Sequence, residues 1–343
     1  MAAPPQSLDP TALELRDRLL DLASGFEVSQ AIYAFAKLGV ADHLAGGPRP
    51  AEELASRVGA QPRPLFRLMR FLASIGVLTQ SDSNRFGLTP LGEWLRSDIP
   101  GSARLHAVSV NEAEYRAAGE LLHTVITGKT AFDHMFGVGL FDYLTANPEA
   151  GTAFNARMAA IPSKGEALLS QFDFGSIRTV VDVGGGRGAI LATLLRAHPN
   201  LRGILFDLPG VMPEAETYLQ EQGVLDRCRL VGGSVLDSVP EGGDAYMTSA
   251  VIHTFDDAKA VKVLRNIRRA LPGKGTLLLW EWVVPPGGEP SRSKRMDLRM
   301  LYASGGVERT EAEWSALLGQ AGFRLERVAA AGSPRPLLVT SAV

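Results

Sequence analysis

The sequence predicts an α/β protein in which a seven-stranded sheet with an antiparallel end hairpin follows a mostly helical domain. Three observations lead to this fold class. From about residue 176 onward, short apolar runs alternate with helical patterns, as in a parallel sheet covered on both faces. The last two runs are joined by a short link, residues 330–335, which permits only an antiparallel hairpin. The residues up to about 165 show mainly helical periodicity.

Residues 1–165 are predicted to form the first domain. Its helical patterns begin at Leu13 and cover residues 29–44, 50–55 and 65–75. Two short strands, residues 76–79 and 85–89, surround a polar turn at 81–84. Helix, helix and hairpin in succession indicate a winged helix.

Residues 166–343 are predicted to form a Rossmann-like second domain. The predicted strands cover residues 178–183, 203–207, 227–232, 244–250, 275–282, 323–329 and 336–342. Helical patterns separate the first five, and the pattern at 258–270 has its apolar residues on one face. Seven strands with an antiparallel hairpin differ from the six parallel strands of the dinucleotide-binding fold.

Composition and charge limit the classes of function. Hydrophobic residues make up 45% of the 343 residues and charged residues 21%, as expected of a globular enzyme. The formal net charge of -2 predicts no general affinity for nucleic acid. The single cysteine, Cys228, excludes an intramolecular disulfide. Neither a membrane-spanning run nor a signal peptide is evident, so we expect a cytoplasmic protein.

A glycine cluster between a predicted strand and a predicted helix is the most informative motif. Residues 179–189 read TVVDVGGGRGA. Glycine lets the backbone approach a ligand where a Cβ atom would clash, and the turn leaves unpaired amides at a helix N-terminus. Gly184, Gly186 and Ala189 fit a dinucleotide fingerprint in which Asp207 would bind the ribose.

S-adenosylmethionine is the other cofactor that fits this turn, since it has a ribose diol but no phosphate. The additional Gly185 and Gly188, together with Asp182 directly before the turn, favour S-adenosylmethionine. The antiparallel end hairpin favours it further. A glycine-rich surface turn without a ligand is the structural alternative.

His253 follows the fourth predicted strand, at the sheet edge where open α/β proteins bind ligands. A histidine there can act as a general base near neutral pH. Two carboxylates are candidate partners: Glu281 ends the next strand in an apolar run, and Glu308 precedes a predicted helix. A base oriented by carboxylates follows the logic of a catalytic triad. The ordinary alternatives are a loop histidine with satisfied hydrogen bonds and an exposed acid paired with Arg309. No cluster has convincing metal-ligand spacing.

Four stretches of the chain form a distinctive combination. They are residues 181–188, residues 206–211, His253 with residues 256–257, and residues 305–310. Together they resemble the large plant- and bacterial-type family of S-adenosylmethionine-dependent O-methyltransferases, which methylate phenols and similar hydroxyls in secondary metabolism. The resemblance covers nearly the whole chain. It implies a winged-helix dimerisation and acceptor-pocket domain, then a Rossmann-like catalytic domain that binds S-adenosylmethionine.

The resemblance also implies a role for individual residues. The cofactor would be bound by Asp182, Gly184, Gly185, Gly186, Asp207, Leu208, Ser234, Val235 and Ser249. His253 would deprotonate the acceptor, flanked by Glu281 and Glu308. Phe154 and Met158 would lie beside the transferred methyl group. The expected partners are a small aromatic acceptor and a second copy of the chain, with no nucleic acid and no membrane.

Three departures from the family pattern leave alternatives open. Thr254-Phe255 replaces the usual Asp-Trp after the histidine, Ser234 follows Gly233 in an unusual second adenosine motif, and Ala118 replaces a tryptophan. Methylation of carbon or nitrogen, or a non-methylating use of the cofactor, therefore remains an alternative. A DNA-binding regulator is the alternative from another class, but its candidate recognition helix is largely apolar and the hairpin tip is acidic.

Overall fold

The computed structural model describes residues 10–81, 84–159, 170–273, 275–330 and 335–343. Contacts divide the chain into two compact units, Met1–Tyr115 and Arg116–Val343. No helix of the described residues is long and apolar enough to cross a membrane.

The first unit is a helical domain with one small sheet. Its helices are α1 (Pro10–Ala23), α2 (Gly25–Leu38), α3 (Val40–Leu44), α4 (Ala51–Val58), α5 (Pro62–Ser74) and α6 (Arg104–Ser109), and α7 (Tyr115–Gly119) crosses the division between the units. Its strands are β1 (Arg49–Pro50), β2 (Leu78–Gln80) and β3 (Arg85–Leu88), in the order β1-β3-β2. This arrangement confirms the predicted helices and hairpin, and β1 adds a third strand.

The helix predicted over residues 29–44 is wrong in one respect, because the chain breaks it at Gly39. Gly39 has a φ of 70°, the left-handed conformation that commonly ends a helix, and its amide donates to the carbonyl of Ala36. A Cβ atom at this position would lie 3.0 Å from an amino group of Arg104. The apolar pattern continues into α3, which is why the sequence indicates one helix instead of two.

The second unit contains the large sheet and the remaining helices. Its helices are α8 (Leu121–Thr127), α9 (Ala131–Phe136), α10 (Leu140–Ala146), α11 (Pro148–Ala159), α12 (Ala189–Ala197), α13 (Met212–Glu221), α14 (Asp257–Ala270), α15 (Arg292–Ala303) and α16 (Glu311–Gln320). Its strands are β4 (Thr179–Val183), β5 (Arg202–Asp207), β6 (Cys228–Gly232), β7 (Ala245–Ser249), β8 (Thr276–Trp280), β9 (Phe323–Ala329) and β10 (Leu337–Ala342).

The strand order is β6-β5-β4-β7-β8-β10-β9. Strands β4 to β8 pair in parallel, and β10 is antiparallel to both β8 and β9. The predicted sheet with an antiparallel end hairpin is therefore confirmed. Because β4, β5, β7 and β8 run in one direction, the residues that follow them meet at a single edge of the sheet.

Helices cover both faces of the sheet, and alternate strand residues supply the two cores. Val181 and Leu279 belong to the core that α14 and α16 cover. Val180 and Leu278 belong to the core that α12 and α13 cover. This burial holds the carboxyl ends of the strands rigidly beside one another.

The helices between residues 121 and 159 group with the large sheet. Both α8 and α9 contact α15, so these helices belong to the second unit. The predicted boundary at residue 165 therefore lies well after the division that the contacts make.

Candidate active site

The glycine turn between β4 and α12 requires glycine at three positions. Gly184 and Gly186 have φ angles of 70° and 58°, which only glycine adopts without strain. A Cβ atom on Gly184 would lie 2.5 Å from Val251, and one on Gly185 would lie 2.4 Å from Leu205. The turn therefore packs closely against the rest of the protein at Gly184 and Gly185, whereas a Cβ atom on Gly186 would meet nothing within 4 Å.

Asp207 ends β5 next to this turn. One oxygen of its carboxylate accepts the amide of Gly186 at 2.7 Å, and the other accepts the amide of Leu208 at 2.7 Å. Burial raises the pKa of Asp207, whereas these two amide hydrogen bonds lower it. Each carboxylate oxygen has a second lone pair, so both can also accept a hydrogen bond from a ribose hydroxyl.

The other predicted cofactor residues lie along the same edge. Asp182 is buried on β4, and Ser249 is the last residue of β7. Ser234 and Val235 follow β6, where Asn266 of α14 donates to the carbonyl of Val235 at 2.8 Å. Leu208 is half exposed just beyond β5, at 40%. The fold thus collects residues from four strands at one edge.

His253 and Glu308 form a buried pair. His253 lies on a short helical turn after β7, and its Nδ1 atom is 2.6 Å from Oε1 of Glu308. Only 6% of His253 and 4% of Glu308 is exposed. Burial lowers the pKa of His253, and Glu281 opposes this effect. Burial raises the pKa of Glu308 to about 8, opposed chiefly by Arg335.

Glu281 has a different contact from the one predicted. Its Oε1 atom accepts the amides of Val251 and Ile252, both at 3.0 Å, and the side chain is completely buried. Burial raises the pKa of Glu281, while the nearby His253 and Arg335 lower it. Glu281 therefore holds the segment that carries His253, and it acts on the histidine ring through charge.

Gly306 and Arg309 hold the Glu308 segment against the His253 segment. The amide of Val307 donates to the carbonyl of His253 at 2.9 Å, and a Cβ atom on Gly306 would lie only 2.1 Å from that carbonyl oxygen. The guanidinium of Arg309 donates to Oδ1 of Asp257, at 2.9 and 2.7 Å, and to the carbonyl of Phe255. These contacts set the distance between the two segments.

Sequence reasoning missed two charged residues of this site. Asp297 of α15 accepts the amide of Glu308 at 2.9 Å. Arg335, just before β10, donates to the carbonyl of Trp280 at 2.6 Å and to the hydroxyl of Ser249 at 3.2 Å. Neither has a local sequence signal, because both reach the site only through the folding of distant elements.

The predicted acceptor-side residues lie on helices of the second unit. Phe154 and Met158 are half-buried, one turn apart on α11, and Ala118 is half-buried on α7. The ring of Phe154 packs edge-on against Phe141 at 6.3 Å. The roles of Phe154, Met158 and Ala118 as acceptor contacts stay predictions.

Two family models match the chain. Residues 119–324 match the O-methyltransferase domain, and residues 20–98 match the O-methyltransferase dimerisation domain. The chain belongs to the O-methyltransferase family. The helical first unit of this O-methyltransferase accordingly matches the dimerisation domain of the family. The large sheet belongs to the second unit, which matches the O-methyltransferase domain.

Curated relatives include enzymes that methylate oxygen and enzymes that methylate nitrogen. The phenazine O-methyltransferase PhzM of Lysobacter antibioticus is 44% identical over 318 residues, 92% of this chain and 93% of the relative. The 8-amino-8-demethylriboflavin N,N-dimethyltransferase of Streptomyces davaonensis is 36% identical over 321 residues, 92% of each chain.

A solved relative shows the cofactor class. The O-methyltransferase NcsB1 of neocarzinostatin biosynthesis, in complex with S-adenosylmethionine and 2-hydroxy-5-methyl naphthoic acid, matches with a TM-score of 0.84. The two chains are 34% identical, and the match covers 92% of this chain and 96% of that one. The O-methyltransferase described here is a methyltransferase that depends on S-adenosylmethionine, and the dinucleotide alternative is set aside.

Proposed function

We propose that the enzyme transfers the methyl group of S-adenosylmethionine to a phenolic hydroxyl of an aromatic secondary metabolite, with His253 as the general base. The contact of 2.6 Å between His253 Nδ1 and Glu308 Oε1 carries this proposal. It turns Nδ1 toward Glu308, and we assign Nε2 as the nitrogen that takes the proton. A buried histidine held by a carboxylate is the arrangement that proton abstraction requires.

The residues at the glycine turn fit the cofactor. A Cβ atom on Gly186 would meet no protein atom within 4 Å, so the turn borders open space there, and Asp207 retains acceptor capacity for a ribose diol. Ser234, Val235 and Ser249 lie at the same edge and would contact the remainder of the molecule. When bound, S-adenosylmethionine supplies an electrophilic methyl group on a sulfonium. The protein's own task is then to align an oxygen with that methyl carbon.

His253 supplies the base that an ordinary phenol needs. A phenol has a pKa of about 10 and is mostly un-ionised at neutral pH. Nε2 would take the hydroxyl proton of the acceptor, and the bound cofactor would supply the methyl group that the oxygen receives. Glu308 accepts the Nδ1 proton in a hydrogen bond and stabilises the imidazolium that forms. Glu281 keeps the His253 segment in place through the amides of Val251 and Ile252.

Aromatic side chains support an aromatic acceptor. Phe141 on α10 and Phe154 on α11 offer ring surfaces, and Met158 adds a polarisable thioether one turn after Phe154. Acceptors named for relatives of this chain include a hydroxybenzoate and a dihydroxynaphthoate. We propose Phe154, Met158 and Ala118 as acceptor contacts, with the small Ala118 leaving room for a bulky ring system.

Methylation of an aromatic amine is the second candidate, and the relatives that methylate nitrogen favour it. The test offers matched arenes that differ only in carrying a hydroxyl or an amino group at the same position. Product analysis by mass spectrometry and NMR should find methyl transfer to oxygen and little to nitrogen. Preferred transfer to the amino compound would replace the phenolic proposal with the second candidate.

A further inference from the structure

Arg335 lies at the carboxyl edge of the sheet, outside the four stretches on which the family resemblance rests. Its guanidinium carbon lies 5.3 Å from the ring centre of Trp280 and 5.8 Å from that of Trp282. The same guanidinium donates to the carbonyl of Trp280 and to the hydroxyl of Ser249. The indole of Trp280 donates in return to the carbonyl of Arg335 at 2.7 Å. Both ends of the residue are therefore anchored at the end of β8.

Glu281 directly follows Trp280, the residue whose carbonyl accepts from Arg335, and it is one of two buried carboxylates in the site. Oε2 of Glu281 and Oε2 of Glu308 are buried and accept no hydrogen bond from the part of the chain that the structure describes. A buried carboxylate without enough donors costs free energy in its charged form and tends to become protonated. The positive charge of Arg335 lowers the pKa of both Glu281 and Glu308 against this burial effect.

Other charged groups around the pair compensate it less than Arg335 does. Arg309 also lowers the pKa of Glu308, but by less, and its guanidinium is bonded to Asp257. Asp297 carries a like charge and raises the pKa of Glu308. Burial lowers the pKa of His253, which disfavours the cationic form of its ring. Among these groups, Arg335 is the cation that acts on both carboxylates and also contacts the cofactor edge through Ser249.

We propose that Arg335 is a positioning residue for methyl transfer: it balances the charge of Glu281 and Glu308 and so keeps His253 in the tautomer that accepts a proton at Nε2. The inference rests on the proposed role of His253 as base. A protonated Glu308 would donate to Nδ1 and force the ring proton onto Nε2, which could then no longer act as a base. An ionised Glu308 accepts from Nδ1 and leaves the Nε2 lone pair for the acceptor.

The residue type agrees with this role. Arginine remains charged when buried and stacks on aromatic faces, whereas lysine loses its proton more readily and has no planar face. Burial lowers the pKa of Arg335, and the two carboxylates oppose that effect. The guanidinium lies near both indole rings and donates to the carbonyl of Trp280, and these contacts hold the charge in one place.

The test compares Arg335→Met and Arg335→Lys with the wild-type enzyme in the pH dependence of kcat/KM. The acid limb of this profile is the pH range over which kcat/KM rises as the pH increases. Loss of the cation should move the acid limb to higher pH by about 1 unit or more, since one nearby opposite charge changes a carboxyl pKa by about 1–3. The lysine variant supplies a cation of poorer fit, so its limb should move less than that of the methionine variant. Arg324→Met, on the exposed surface of the same hairpin, is the matched control and should not move it.

A double variant separates charge balance from simple packing. If Arg335 acts through Glu308, then Arg335→Met should shift the acid limb in the wild-type background and not in the Glu308→Gln background. An equal shift in both backgrounds, or an equal shift for Arg335→Met and Arg335→Lys, would overturn the proposal.

A measurement without turnover keeps this inference independent of the proposed reaction. Carbon-13 NMR of glutamate carboxyl groups in the full chain, assigned with Glu308→Gln and Glu281→Gln, follows their titration directly. Both carboxyl pKa values should rise in Arg335→Met. If they do so in a protein that methylates no hydroxyl, the proposed function fails and the role of Arg335 stands. If Arg335→Met does not fold, Arg335→Gln takes its place: raised carboxyl pKa values in that variant support the proposal, and unchanged values refute it.

Discussion

His253 directs its Nδ1 atom at Oε1 of Glu308 over 2.6 Å, although 55 positions separate the two residues in the chain. The contact determines which ring nitrogen can take a proton from an acceptor. It also couples the protonation of the two groups, so the pair titrates as a unit. The chemistry of the site therefore depends on the charge of Glu308 as much as on the histidine.

Replacement of His253 by alanine should abolish most methyl transfer and leave the affinity for S-adenosylmethionine nearly intact. Loss of a general base typically costs on the order of 10² to 10⁴ in rate. Single-turnover methylation and titration calorimetry measure the two quantities. His198→Gln is the control, since His198 lies at the end of α12 and outside the site. Near-wild-type turnover on a phenol of ordinary acidity would show that His253 is not the base.

The rate of methyl transfer should rise with pH through about 8, the value to which burial raises the pKa of Glu308. As Glu308 ionises over this range, a growing fraction of the pair has the tautomer in which Nε2 can accept a proton. Glu308→Gln should lose this limb and run slower by on the order of 10-fold to 10²-fold, because an oriented base loses its charged partner. A pH profile of kcat/KM that is identical in the two proteins would contradict the coupling.

Glu308 should also make folding stability depend on pH. Its pKa is raised from 4.5 in the unfolded chain to about 8 in the folded protein. The raised pKa contributes stability that is fully present below pH 4.5 and is lost as the pH rises to about 8. The free energy of unfolding should therefore fall between these pH values relative to Glu308→Gln, as urea denaturation can measure. The exposed Glu311→Gln should show no such divergence.

Gly306→Ala should destabilise the protein and disturb the catalytic pair. The added Cβ atom would lie 2.1 Å from the carbonyl oxygen of His253, a backbone atom that cannot move aside cheaply. Overpacking of this kind costs about 1–3 kcal/mol. Thermal unfolding and activity should both fall. Gly288→Ala is the control because a Cβ atom there meets nothing within 4 Å. Equal behaviour of the two variants would count against a tight contact at Gly306.

The enzyme should form a homodimer through its first unit. Leu15, Leu19 and Leu22 lie on one stripe of α1 and are 62%, 66% and 70% exposed, which is unusual for a helix without a partner. Sedimentation at micromolar concentration should find a dimer. Glutamate at these three positions should shift it toward monomer, whereas Glu14→Gln on the same helix should not. A wild-type monomer would refute the prediction.

The sequence by itself predicted the sheet and the glycine turn. The seven strands appear within one or two residues of their predicted bounds, because β-branched runs and turn residues are local signals. The glycines at 184 and 186 also follow local rules, since their positive φ angles exclude other residues. The sequence does not predict the break at Gly39, because the apolar pattern continues on both sides of it.

The tertiary structure alone decided how the charged residues of the site contact one another. Glu308 meets the histidine ring, Glu281 accepts two backbone amides instead, and Arg335 of the end hairpin contacts Trp280 and Ser249, from where its charge lowers the pKa of both carboxylates. The sequence shows no period or spacing that relates residues 253, 308 and 335. Their proximity results from parallel strands that end at one edge, and their pKa values result from burial, which only the folded packing sets.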